Sequence, residues 1–122
     1  MAEPLKVVEV AANKWWVDTG IDVAPGDALR FEASGIWWDA SYEAGPDGVD
    51  IPSLRNWGFL RRVRRAEWAE LAGSVGRLGG FPIGAGATRR FSSGGRLRLF
   101  FNDAFGFYHN NRGSVSVSIH RD

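Results

Sequence analysis

The sequence predicts an all-β domain from two observations: short runs in which apolar and polar residues alternate, and frequent turn signals between them. Val8 and Val10 flank Glu9, and Leu29, Phe31 and Ala33 alternate with Arg30, Glu32 and Ser34. Leu97, Leu99 and Phe101 share a face of the next clear run, and Val115, Val117 and Ile119 alternate with Ser114, Ser116 and Ser118. A two-residue period is the mark of strands with one buried face. Pro25-Gly26-Asp27 and Ser93-Gly94-Gly95 are turn sequences between such runs. Short strands with frequent turns imply a sandwich, jelly roll or barrel.

The chain has 122 residues, which fits one domain, 1–122, with enough length to bury its own core. Six Trp and eight Phe suit a strand-rich core, because aromatic rings pack well on pleated surfaces. The net charge of +1 gives the molecule as a whole little attraction for polyanions. Cys is absent, which excludes disulfides, thiolate metal sites and a Cys nucleophile. Met1-Ala2-Glu3-Pro4 lacks the basic-then-apolar pattern of a signal peptide. The location is left open by this: cytoplasmic, exported by a signal-less route, or exported by a signal outside this sequence. No apolar run is long enough to span a membrane as a helix.

One stretch resists the strand pattern. Arg61 to Leu71 is rich in helix formers, with Leu60, Val63, Glu67 and Leu71 near helical spacing but no clear cap. We expect one or two helical turns or an irregular loop through Arg65, then a strand from about Trp68 to Val75.

The densest group of chemically useful residues is NDAFGFYHNN, Asn102 to Asn111. It lies between an apolar strand and the Ser-Val alternation, so it is a loop. Asp103, Asn110 and Asn111 bring side-chain oxygens from both ends of that loop, and Gly106 permits a turn that aims carbonyls inward. Hard oxygens on a curved loop suit calcium, which accepts about six to eight of them in loose geometry. Asn and Asp are also ordinary turn formers, and D-x6-N-N is not an EF-hand.

NDAFGFYHNNRGSVSVSI resembles the C-terminal segment of the LecA-type bacterial lectins, which are calcium-dependent and galactose-binding. Asn102, Asp103, Gly106, Tyr108, Asn110, Asn111, Gly113, Ser114, Ser116 and Val117 match that family's motif. Weaker similarity runs through Val8 to Asn13, Pro25-Gly26-Asp27, Gly45-Pro46-Asp47-Gly48 and Leu71 to Gly76. The resemblance implies an antiparallel jelly-roll-like β-sandwich and a non-catalytic calcium-dependent lectin. Its implied partners are galactose-containing glycans or small galactosides, and its implied assembly is a dimer or tetramer. It implies that Asp103, Asn110 and Asn111 hold Ca2+ through side chains and Phe107 through its carbonyl. A further carbonyl comes from Asp39 by ungapped counting, or from Tyr42 if Ala40-Ser41-Tyr42 is matched instead; Asp39 is preferred. A sugar's O3/O4 diol would complete the coordination, with Asp103, Ala104 and Asn110 against the sugar. Where the family has a His that contacts O6, this chain has Asp50 or Ile51.

Two rival readings carry specific residues. Asp39, Glu43, Asp47 and Asp50 are numerous enough for glycoside hydrolysis, but nothing pairs them across a bond. His109 and His120 have no identifiable nucleophile, so an enzyme is not expected. Arg61, Arg62, Arg64 and Arg65 lie among Trp57, Phe59 and Trp68, a pattern that can bind acidic polysaccharide or nucleic acid. The near-neutral charge favours a solvated loop over nucleic-acid binding.

Overall fold

Two antiparallel sheets enclose the core of the computed structural model, which describes residues 3–76 and 79–122. Met1 and Ala2 of the N-terminal stretch lie outside the described residues. The strands are β1 (Lys6–Ala11), β2 (Val17–Val23), β3 (Ala28–Asp39), β4 (Tyr42–Ala44), β5 (Asp47–Val49), β6 (Trp68–Val75), β7 (Phe81–Pro82), β8 (Gly86–Arg90), β9 (Gly95–Phe101) and β10 (Asn111–Arg121). One sheet runs β1-β10-β3-β4, with β8 also paired to β3. The other runs β2-β9-β6-β5, with β7 paired to β6. The expected all-β sandwich is the observed fold.

The alternation read from the sequence decides which side chains enter the core. On β10, Val115, Val117 and Ile119 are buried, while the serines between them face outward. On β3, the same period carries Leu29, Phe31 and Trp37 inward and ends on Asp39, which is also buried. Asn111 occupies the equivalent end of β10 and is the register partner of Asp39. Two polar residues therefore sit on the inner face where the sandwich opens. Gly113 lies opposite Trp37 with φ of +86°, and a Cβ there would stand 3.0 Å from the Trp37 Cα. Only glycine lets the strands approach so closely beside the site.

The sheets are tied together through Trp37. Its ring meets Phe101 edge-on at 4.8 Å, and its indole N–H donates to the Ala69 carbonyl at 2.8 Å. Ala69 has a φ of +64°, a left-handed kink that turns its carbonyl toward the indole and its N–H to the Asn102 carbonyl.

The expected strand over Trp68 to Val75 is β6. Of the two forms expected through Arg65, the Arg-rich stretch takes the irregular one, and an unexpected 3-10 segment precedes it over Pro52–Leu60. Proline at the start of that segment favours helical φ. The Arg stretch cannot be helical because its backbone is spent elsewhere. The Arg61 backbone forms an isolated bridge with Ala104, and Val63 bonds to the Asn102 amide. Val63 and Ala66 then cover Phe100 and Ala72 on the outer side of the second sheet.

Asn102, fully buried, is the anchor of this arrangement. Its Oδ1 accepts from Val63 N–H at 2.8 Å, and its Nδ2 donates to the carbonyls of Val63 and Glu67 at 2.9 Å each. Asn102→Ala would leave those groups unpaired and is expected to cost roughly 2–4 kcal/mol. Denaturant unfolding of the variant, with an unchanged m-value, checks this.

Candidate functional site

At the open end of the sandwich lies a cavity of about 460 Å³ lined by Asp39, Leu54, Trp57, Leu60, Trp68, Asp103, Ala104, Phe107 and Asn110. This is the size range of small-molecule sites. One wall is polar and comes from the end of β3 and the loop between β9 and β10. The other is apolar and comes from the 3-10 segment Pro52–Leu60 and the start of β6.

Asp103 is the centre of the polar wall and is 3% exposed. Its Oδ1 accepts from the Ala104 N–H at 2.7 Å, and its Oδ2 accepts from Asn111 Nδ2 at 2.9 Å. Asn111 Nδ2 also donates to the Ala12 carbonyl at 3.1 Å, which fixes which way the amide faces. Asn111 Oδ1 is consequently buried with no hydrogen-bond partner. The loop that carries these groups is held by Tyr108, whose hydroxyl donates to the Phe101 carbonyl at 2.6 Å. It is also held by the Ala40 N–H, which donates to the Asn110 carbonyl at 3.1 Å.

Asp39 and Asp103 make no ion pair among the described residues. Burial raises both carboxyl groups, and the neighbouring Asp39 charge adds to the effect on Asp103, which is pushed up to about 6. Two carboxyl groups without an ion-pair partner and an amide oxygen without a hydrogen bond therefore lie close together at this end of the fold. Among the described residues no three His, Cys, Asp or Glu side chains cluster as metal ligands. The lining offers the carboxylate oxygens of Asp39 and Asp103 and the amide oxygen of Asn110, hard donors of the kind calcium accepts.

The structure brings Asp39, Asp103, Ala104, Phe107 and Asn110 to one cavity, with Asn111 bonded behind them. Tyr42 does not line it and is exposed. Neither Asp50 nor Ile51 lines it. Ile51 is 1% exposed and packs beneath the cavity with Trp68 and Ala104, so it has no surface to offer a sugar. Asp50 is exposed and pairs with Arg55 at 2.5 Å. Both follow from Pro52, which turns the chain into the 3-10 segment and points Leu54 and Trp57 at the cavity instead.

That apolar wall escaped the sequence reading, which assigned Trp57 and Trp68 to a basic patch. Half of the patch is structural. The Arg62 guanidinium is sandwiched between Trp15 and Phe100, 3.7 and 3.6 Å from their centroids, and donates to the Trp15 carbonyl and the Tyr108 hydroxyl. Arg61 lies over Trp68 and donates to the Arg64 carbonyl. Arg64 and Arg65 alone of the four are exposed. The Pro at the head of the segment was the available signal for the wall.

No family model and no curated protein matches the chain. Among solved structures it is similar to the N-terminal domain of EclA, described as a PllA-like lectin, with a TM-score of 0.77 at 23% identity over 98% of each chain. The likeness shows a shared β-sandwich fold.

Proposed function

We propose that the protein is a non-catalytic, calcium-dependent lectin for galactose-type sugars, of the LecA-type its C-terminal motif resembles. The observation that carries this reading is the placing of Asp39 and Asp103, neither in an ion pair, at a cavity of ligand size, with the partnerless Asn111 Oδ1 buried on the residue bonded to Asp103. The lectin neighbour supports carbohydrate as the ligand class. Asp103, Asn110 and Asn111 would hold the ion through side-chain oxygens, and Asp39 and Phe107 through carbonyls. Calcium, when bound, supplies charge and open coordination positions that a sugar's O3/O4 diol can fill. Asp103 accepts and Asn110 donates hydrogen bonds to the same hydroxyls, and a charged acceptor strengthens its bond. The Ala104 methyl and the apolar wall exclude water from the C–H face of the ring.

Titration calorimetry tests the reading. Galactose should release heat in calcium and none in excess chelator; equal binding in both would overturn it. With Asp50 and Ile51 away from the cavity, little reads O6. Galactose and 6-deoxygalactose should differ by no more than one neutral hydrogen bond, about 0.5–1.5 kcal/mol. Asp50→Ala should leave both affinities unchanged.

A further inference from the structure

The end of the sandwich that bears the cavity carries a rim of exposed aromatic rings. Trp15 packs against Phe105 with centroids 4.8 Å apart and the rings tilted by 41°, and Trp16 lies 6.4 Å from Trp15. Two residues past Phe105, Phe107 reaches the cavity, where it shares the lining with Trp57. Trp57 pairs with Phe59 at 6.2 Å. Trp16, Trp57, Phe59, Phe105 and Phe107 are each 47–64% exposed. Exposed rings gathered in two groups at one end of the sandwich mark an interaction surface.

Charge narrows the partner. Residues 53–66 contain Arg55, Arg61, Arg62, Arg64 and Arg65 and no carboxylate, in a chain of net charge only +1. Among the described residues, Arg64 and Arg65 form no ion pair. Trp57 and Phe59 share this segment with the unpaired Arg64 and Arg65, and exposed Trp and Phe together with Arg match a bilayer interface, where the rings sit at headgroup depth and guanidinium groups meet lipid phosphates. A second copy seated on this rim would close the cavity it surrounds.

We infer that the aromatic rim docks on the interface of a bilayer containing anionic lipid, holding the cavity at the depth of a short galactosyl-lipid headgroup. The galactosyl part rests on the proposed function; the docking of the rim does not. Phe59 and Phe105 lie outside the cavity lining, so they separate the two.

Flotation with vesicles of phosphatidylcholine, phosphatidylglycerol and galactosylceramide tests the inference. Phe59→Ser/Phe105→Ser should weaken vesicle binding about tenfold, the order expected for partly burying two rings. Its calorimetric affinity for free galactose should stay within about twofold of wild type. Arg64→Gln/Arg65→Gln should weaken binding only when phosphatidylglycerol is present, and brominated lipid should quench wild-type Trp fluorescence. Unchanged vesicle binding by the Phe variant, or absent quenching, overturns the inference. Equally tight binding to heparin or duplex DNA overturns it in favour of a soluble polyanion. A wild-type oligomer that dissociates in the Phe variant overturns it in favour of a second copy. Vesicle binding that survives chelator and excess galactose, yet still falls in the Phe variant, supports docking by the rim itself and overturns only the contribution of the galactosyl headgroup to vesicle binding; the calorimetry with free galactose decides the galactose reading separately.

Discussion

Asp103→Asn is expected to abolish measurable calcium and galactose binding while leaving the sandwich folded. The substitution removes the only carboxylate that the loop Asn102–Asn111 places at the cavity. It keeps an oxygen for the Ala104 N–H, which Asp103 accepts at 2.7 Å. Breaking a buried charge pairing from one side costs about 3–5 kcal/mol, or roughly two to three and a half orders of magnitude in affinity. Both variants lose the bond from Asn111 Nδ2 to Asp103 Oδ2, but Asp103→Ala also leaves the Ala104 N–H unpaired, so it should unfold more easily than the Asn variant. Calorimetry with calcium, then galactose, measures the first effect and circular dichroism the second. An Asn variant that binds both ligands at wild-type strength would remove Asp103 from the site.

The calcium-free protein is expected to be more stable at mildly acid pH than at neutral pH, against the usual trend for carboxylates. Burial, reinforced by Asp39, moves the Asp103 carboxyl from 3.8 to about 6. The folded chain therefore holds a proton there that the unfolded chain has released. A group with a raised folded pKa contributes stability that is full below the unfolded value and lost as pH rises through the folded one. The window is thus between about pH 3.8 and 6, and the full displacement corresponds to about 3 kcal/mol. Asp39 is raised by burial and acts in the same direction. Asp18, Asp22 and Asp50, lowered by backbone or arginine hydrogen bonds, lose their contribution only as the pH falls further. Between pH 7.5 and pH 5 the chelator-treated protein should gain about 1–1.5 kcal/mol, a rise in Tm on the order of 5 °C. Saturating calcium should reverse the sign, because protons and the ion compete for the same oxygens. A chelator-treated Tm that falls steadily from pH 7.5 to 5 would show that Asp103 is already ionised without the ion.

The sequence by itself determined an all-β fold, because a two-residue period leaves a strand only one way to bury Val115, Val117 and Ile119 or Leu29 and Phe31, while the choice of a sandwich over a barrel rested on the family resemblance. It also determined the site loop, since Asp103, Asn110 and Asn111 belong to one short segment and need no long-range contact to be close. Tertiary structure alone decided what faces that loop. Asp39 reaches the cavity because β3 pairs with β10 in a register that sets it opposite Asn111, and that register depends on packing across the sheet. Ile51 goes under the cavity and Leu54 and Trp57 line it, because Pro52 starts a 3-10 segment whose orientation is set by what it packs on, not by its own spacing. The Arg61–Arg65 stretch has helical propensity but lost it to the Asn102 amide, Trp15 and Phe100, which are distant in sequence and bind its backbone and guanidinium groups more strongly than one helical turn could.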